Sequence, residues 1–234
     1  MSECRTSTPV ESFASGGTAR GWQRFGLLLL NAVPLVLTLG AIAIFSWVPF
    51  RWPIRVAGAV SFLYLAPPIT GRVLCAYSPI SEGHVAIGSR AFTTWWALLQ
   101  LQMIFCRLPI LEEALRIVPG LYSGWLRLWG ARIGRLTFWS PGVSILDRPF
   151  LHVGRDVVIG ACVSLSSHLF AARPEGGREL LLGTIHIGDD ACVGGYSVLG
   201  PGARIERGAS TRACLRALAV RDAGSQAREK RRLQ

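Results

Sequence analysis

A six-residue repeat constrains this chain more than any other feature. Within Ile187–Glu206, IGDDACVGGYSVLGPGARIE, a branched aliphatic residue returns at every sixth position: Ile187, Val193, Leu199 and Ile205. Four places after each stands a small residue: Ala191, Ser197, Ala203 and Ala209. A period of six is neither helical nor that of an alternating strand. It suits a solenoid in which each hexapeptide is one short strand plus a tight turn. The aliphatic side chain points into the coil, the small one fits where the wall bends, and Gly188, Gly194 and Gly200 allow turn dihedrals. The pattern stands upstream at Val153, Ile159 and Leu165, and less regularly at Ile133, Trp139 and Ile145. Three hexapeptides make one triangular turn.

The frame breaks once. Val153 and Ile187 are 34 residues apart, where one turn needs 18, so 16 residues, roughly Leu169–Thr184, are expelled as a loop. Pro174, Gly176 and Gly177 suit an exposed loop. His168 stands at its root, in SLSSHLF. An imidazole there can serve as general base for a hydroxyl or amine nucleophile.

The chain is half apolar, with mean hydropathy +0.38, and the excess is local. Residues 25–50, FGLLLLNAVPLVLTLGAIAIFSWVPF, carry no charge and are long enough to cross a bilayer. Pro34 is tolerated in a membrane helix, and the run is too long for the apolar core of a signal peptide. A second apolar segment, Val56–Gly71, holds Pro67-Pro68. It either spans as a kinked or tilted helix or only dips into the membrane. Arginines flank both sides, so charge does not set the orientation. The expectation is an even number of spans in the plasma (inner) membrane, with the C-terminal domain facing the cytoplasm. The net charge of +11 then suits an anionic lipid surface. No motif with interleaved aromatics points to nucleic acid. The six cysteines show no metal or redox spacing, which predicts free thiols in a reducing compartment.

The organisation expected is a disordered tail over 1–20, two membrane helices (or one spanning and one re-entrant) over 21–76, and helices over 77–130. The tryptophans of that third part, Trp95, Trp96, Trp125 and Trp129, suit either the membrane interface or a cap on the solenoid. Glu112 and Glu113 are read there as a solvated face. The solenoid domain covers 131–210, with its loop at 169–184. An irregular basic tail covers 211–234, and its Arg228, Lys230, Arg231 and Arg232 could touch lipid heads.

The run Ile145–Asp147 (ILD), one hexapeptide turn, His168, an expelled loop and then IHIGDDACVGGYSVLGPGARI together resemble the hexapeptide-repeat acyltransferases, nearest the maltose and galactoside O-acetyltransferase type. The likeness covers about Gly134–Glu206. It implies a mainly β fold, a left-handed parallel β-helix that forms a homotrimer. It implies acyl transfer, most simply of acetyl, from acyl-CoA (acetyl-CoA) to a small-molecule or lipid-linked acceptor, with no metal required. By the same resemblance His168 is the base, Asp147 holds the acceptor or the histidine, and Gly195, Ser197 and Gly200 lie along the acyl-CoA. The chain departs from the family pattern at Ser140, Pro141 and Gly142, where the family has asparagines, and at the irregular residues 211–222. Two other readings stand beside this one. One is a zinc site built from His152, His168 and His186, since His152 and His186 stack one turn apart once the loop is removed. The other is a non-catalytic membrane scaffold.

Overall fold

The computed structural model describes residues 21–172 and 178–218. The tails expected at 1–20 and beyond 218, with Arg228, Lys230, Arg231 and Arg232, lie outside the described residues, as does the tip of the expelled segment at 173–177.

The first apolar run forms two helices, α1 (Gly21–Leu30) and α2 (Val33–Trp47). Pro34 occupies the first turn of α2, where a missing N–H is harmless. At the break, the Asn31 side-chain oxygen accepts from Trp96 Nε1 (3.1 Å) and Gln100 Nε2 (2.9 Å), pinning this point to a later helix. Helix α3 (Trp52–Tyr77) runs unbroken through Pro67-Pro68 and ends beyond the Gly71 expected from sequence. The stretches Arg24–Trp47 and Trp52–Tyr77 are long and apolar enough to cross a membrane. Leu35, Val36, Leu39 and Ile42 on one, and Val60 and Ile69 on the other, are exposed.

After α3 come strand β1 (Gly83–Ala86) and three helices, α4 (Arg90–Arg107), α5 (Ile110–Arg116) and α6 (Leu121–Trp129). Ser89 caps α4 by accepting from the Phe92 N–H (3.1 Å). These helices form the cap of the solenoid. Leu98 and Phe105 of α4 and Trp125 and Trp129 of α6 are buried and join the core of the coil, while Trp95 packs in a second cluster with Val85, Phe92, Leu180 and Leu182. Gly71 lets α3 approach: a Cβ there would meet Leu98 at 3.0 Å and Trp129 at 3.2 Å.

The coil follows as β2 (Arg132–Ile133), β3 (Phe138–Trp139), β4 (Ser144–Leu146), β5 (Leu151–Val153), β6 (Val158–Ile159) and β7 (Ser164–Ser166). It continues, after a hairpin of β8 (His168–Ala172) and β9 (Arg178–Leu182), as β10 (Ile185–Ile187), β11 (Cys192–Val193), β12 (Val198–Leu199), β13 (Arg204–Ile205) and β14 (Arg216–Ala217). Three walls result, with strand orders β13-β10-β5-β2, β11-β6-β3 and β14-β12-β7-β4, and every neighbouring pair within them is parallel. Each of the first three turns gives one strand to each wall; the fourth gives β13 and β14, with only an isolated bridge from Ser210 to Cys192 on the wall between them. The inward aliphatics stack in register, as in Ile133, Val153, Ile187 and Ile205, and all four are buried.

Several expectations are corrected. Among the described residues, helices hold more residues than strands, so the class is α plus β rather than mainly β. The coil does not stop at 210, because Arg216 and Ala217 pair with Val198 and Leu199. The first turn is two residues longer than eighteen: Ile133 pairs with Val153, Trp139 with Ile159 and Ile145 with Leu165. The expelled segment is a β-hairpin rather than a plain loop. Its β9 pairs antiparallel with both β8 and β1, and Leu180–Leu182 are buried. Gly188 and Gly194 do not take left-handed dihedrals. The next turn's backbone leaves them no room for a side chain, since a Cβ would lie 2.6 Å from Arg207 N or 2.5 Å from Arg212 C. The left-handed position is two residues later, at Asp156, Cys162, Asp190 and Tyr196.

Candidate active site

The two extra residues of the first turn fall where β4 leaves its wall. At the regular corners the left-handed residue stands three places after the inward aliphatic. After Ile145 it comes at the second place, Asp147, with φ 60° and ψ 54°. A 3-10 turn, Arg148–Phe150, then leads into β5. This early corner turns the Asp147 carboxylate into a fully buried position.

One turn along the same wall, β7 ends and His168 opens the hairpin. Leu146 pairs with Ser166, so the two corners are neighbours. His168 Nδ1 lies 2.5 Å from Asp147 Oδ2, and Trp95 Nε1 donates to Asp147 Oδ1 at 2.8 Å. Both carboxylate oxygens are thus engaged. The Trp95 ring meets the His168 ring edge-on at 4.9 Å and Phe170 at 5.9 Å. A carboxylate can only accept, so it fixes the proton on Nδ1 and leaves Nε2 of a neutral ring as an acceptor. The structure brings together the two residues expected at the catalytic position. It adds Trp95, which the sequence reading placed only in a cap or an interfacial helix.

Three helices brace the corner. Gln102, two turns after Trp95 on α4, accepts from the Arg148 backbone N–H (2.8 Å) and from Arg148 Nη1 (3.1 Å). Arg148 is fully buried and ion-paired with Glu112 of α5. Burial disfavours its charge, but the Glu112 carboxylate outweighs this and holds the guanidinium pKa above its ordinary value. Arg116 also reaches Glu112 (3.2 Å), and the Tyr122 hydroxyl donates to it. Burial, then the Glu112 charge, push the Tyr122 phenol up. Glu112 is therefore a buried bracing charge and not part of a solvated face. Glu113 accepts from Arg116 Nη1 at 2.5 Å and from the Gly142 N–H at 2.9 Å.

The residues expected along acyl-CoA are placed differently. Ser197 is fully buried; its hydroxyl donates to Gly194 O (2.6 Å) and accepts from Leu215 N–H (3.1 Å). It ties the coil together and is enclosed, so it is corrected from a ligand contact to a packing residue. Gly200 is buried, and Leu218 of the next turn covers it: a Cβ would lie 2.1 Å from Leu218 Cδ2. Gly195 is half-buried, and a Cβ there would approach Ala161 O at 3.1 Å.

His152 and His186 do stack one turn apart, with rings 4.8 Å apart. His168 turns instead to Asp147 and Trp95. Among the described residues no three His, Cys, Asp or Glu side chains are grouped to hold a metal ion, so the three-histidine zinc reading has no site here.

No family model matches the chain, and no curated protein matches it. Among solved structures it is similar to a hexapeptide-repeat-containing acetyltransferase of Vibrio cholerae complexed with acetyl coenzyme A, at 24% identity and TM-score 0.31, over 37% of this chain and 52% of that one. This chain thus spans about half the length of that protein. A second structure of the Vibrio cholerae protein gives 16% identity and TM-score 0.35, over 60% and 95% of the two chains. A serine acetyltransferase of Neisseria gonorrhoeae gives 12% identity and TM-score 0.22, over 88% and 87%.

Proposed function

We propose that this chain is a membrane-anchored acyltransferase that moves an acyl group, most simply acetyl, from acyl-CoA to a hydroxyl or amine. The carrying observation is the series Trp95–Asp147–His168 at a corner of the coil, with Trp95 and Asp147 buried and His168 half-buried. Asp147 orients the ring and stabilises the imidazolium that forms when Nε2 takes a proton. The acceptor O–H or N–H gives that proton to Nε2 as its lone pair attacks the thioester carbonyl. The tetrahedral intermediate then collapses, the C–S bond breaks, and the CoA thiolate takes the proton back from Nε2. The acyl donor is proposed to pass by Gly195, where small size lets a pantetheine arm approach the backbone. The anchor is the helix pair α1–α2 and α3, whose exposed apolar sides suit lipid. An acceptor at the membrane surface, a cytoplasmic face for the coil and a homotrimer belong to the same reading.

The test is acetyl transfer in detergent-solubilised protein against a panel of sugars and amines, with His168→Ala alongside. Transfer that disappears in the variant, at unchanged oligomeric state and acetyl-CoA affinity, is expected. A wild-type protein that neither binds CoA nor turns over would overturn the proposal.

A further inference from the structure

The wall β13-β10-β5-β2 carries an arrangement that acyl transfer does not use. Its strands pair Arg132 with His152, His152 with His186, and His186 with Arg204. The inward partners Ile133, Val153, Ile187 and Ile205 are buried, so by strand alternation these four face outward. Arg132 and Arg204 are exposed, and His152 and His186 half-buried. With neighbouring strands about 4.8 Å apart, the row is about 14 Å long. It lines a recess of about 430 Å³.

Two guanidiniums and two imidazoles in one row, with no acidic residue among them, make a surface complementary to an anion. Among the described residues no carboxylate forms an ion pair with Arg132, Arg204, His152 or His186. Two acids stand at the edges. Glu82 is held by the Thr184 N–H (3.1 Å) and hydroxyl (2.6 Å), and Glu206 lines the recess beside Arg207, which reaches Asp190 at 3.4 Å. The row also adjoins the His168 corner. Ser167 donates to Phe150 O, two residues before His152, and accepts from Gly183 N–H, three residues before His186.

We propose that this row is a phosphoryl-binding site, in which Arg132 and Arg204 flank, and His152 and His186 contact, a diphosphate or a pair of closely spaced phosphates. Guanidinium forks match phosphate oxygens, and imidazole N–H groups donate to them. In the free protein, burial first, then His186 and Arg132, hold the His152 imidazole below its ordinary value, against the opposing pull of Glu82. An anion reverses the repulsive contributions, so binding takes up protons and tightens as pH falls toward 6.5. The site does not depend on acyl transfer, and its test reads binding alone.

The experiment is a calorimetric titration of the full chain in detergent, at low salt, with inorganic pyrophosphate at pH 6.5 and 8.0. Saturable binding at least fivefold tighter at pH 6.5 is expected. Arg132→Gln/Arg204→Gln weakens it tenfold or more while thermal unfolding and elution stay unchanged. Arg135→Gln/Arg212→Gln, on exposed arginines outside the row, leaves it as in the wild type. His152→Gln/His186→Gln keeps weak binding that is no longer tighter at pH 6.5. No saturable binding at pH 6.5, equal affinity in the Arg132/Arg204 variant, or retained tightening at pH 6.5 in the histidine variant would overturn the site. ADP and vesicles of phosphatidic acid, with phosphatidylcholine vesicles as blank, are then competed against pyrophosphate. Displacement by ADP supports a soluble phosphate ester and displacement by phosphatidic acid a lipid headgroup; displacement by neither overturns the ligand class.

Discussion

Trp95→Phe isolates one hydrogen bond of the candidate site. Phenylalanine keeps an aromatic ring beside His168 but has no N–H for Asp147 Oδ1. In the wild type that bond is 2.8 Å long and both residues are fully buried, so no water replaces the donor. A hydrogen bond to a charged group contributes about 1.5–3 kcal/mol. The variant is therefore expected to be about 2–3 kcal/mol less stable. If the carboxylate also loses its hold on the imidazole, the same energy appears in the barrier. At about 1.4 kcal/mol per tenfold, kcat falls roughly 10- to 100-fold while KM for acetyl-CoA is unchanged. The assay is kcat and KM in detergent beside a thermal unfolding curve. Trp96→Phe is the control: it lies next on α4, but its indole bonds to Asn31 rather than to Asp147. A Trp95→Phe enzyme with wild-type stability and kcat within twofold would refute the claim that the indole holds Asp147 and, through it, His168.

The bracing charges make a second test. Glu112→Gln leaves the buried Arg148 without a counter-ion and is expected to cost about 3–5 kcal/mol by denaturation, more than Arg148→Met, after which Glu112 keeps Arg116 and Tyr122. Gly160→Ala puts a Cβ 2.5 Å from Gly195 N and is expected to lower Tm sharply; Gly195→Ala meets only Ala161 O at 3.1 Å, so it folds, and its KM for acetyl-CoA tests whether the donor passes there. The Thr184 hydroxyl, against some burial, holds the Glu82 carboxyl below its ordinary 4.5. The folded pKa is the lower one, so this contact stabilises above pH 4.5 and fades as pH falls through the lowered value. Glu82→Gln removes that pH dependence, read as amide exchange at Thr184.

The coil was legible because its inward residues recur at a spacing no other element uses. The excursion was legible as a counting error in that spacing. The frame put His168 at the root of the excursion, whereas its pairing with Asp147 was implied by the family likeness alone. The hairpin's partner was not legible, because β1 lies 95 residues before the strand it pairs with and has no repeat to mark it. Glu112 looked solvated because a short helix reading LEEALR is amphipathic by itself; its buried partner Arg148 lies 36 residues away. Ser197 shows a conflict within the sequence reading. The rule that puts a small residue inside each bend already enclosed its hydroxyl, while the family likeness placed it on a ligand. Packing decided, because Leu215 N–H and Gly194 O take both sides of that hydroxyl.

Strand β1 begins six residues after α3 ends and lies edge to edge with the hairpin that starts at His168. The hairpin that carries the imidazole is therefore tied to α3 by the link 78–82 and then by the main-chain hydrogen bonds that join β1, β9 and β8. A soluble fragment cut at the start of the coil would keep Asp147 and His168 in its sequence but lose Trp95, β1 and Gln102. The part of the chain that looks like a tether is thus also the frame against which the site is aligned.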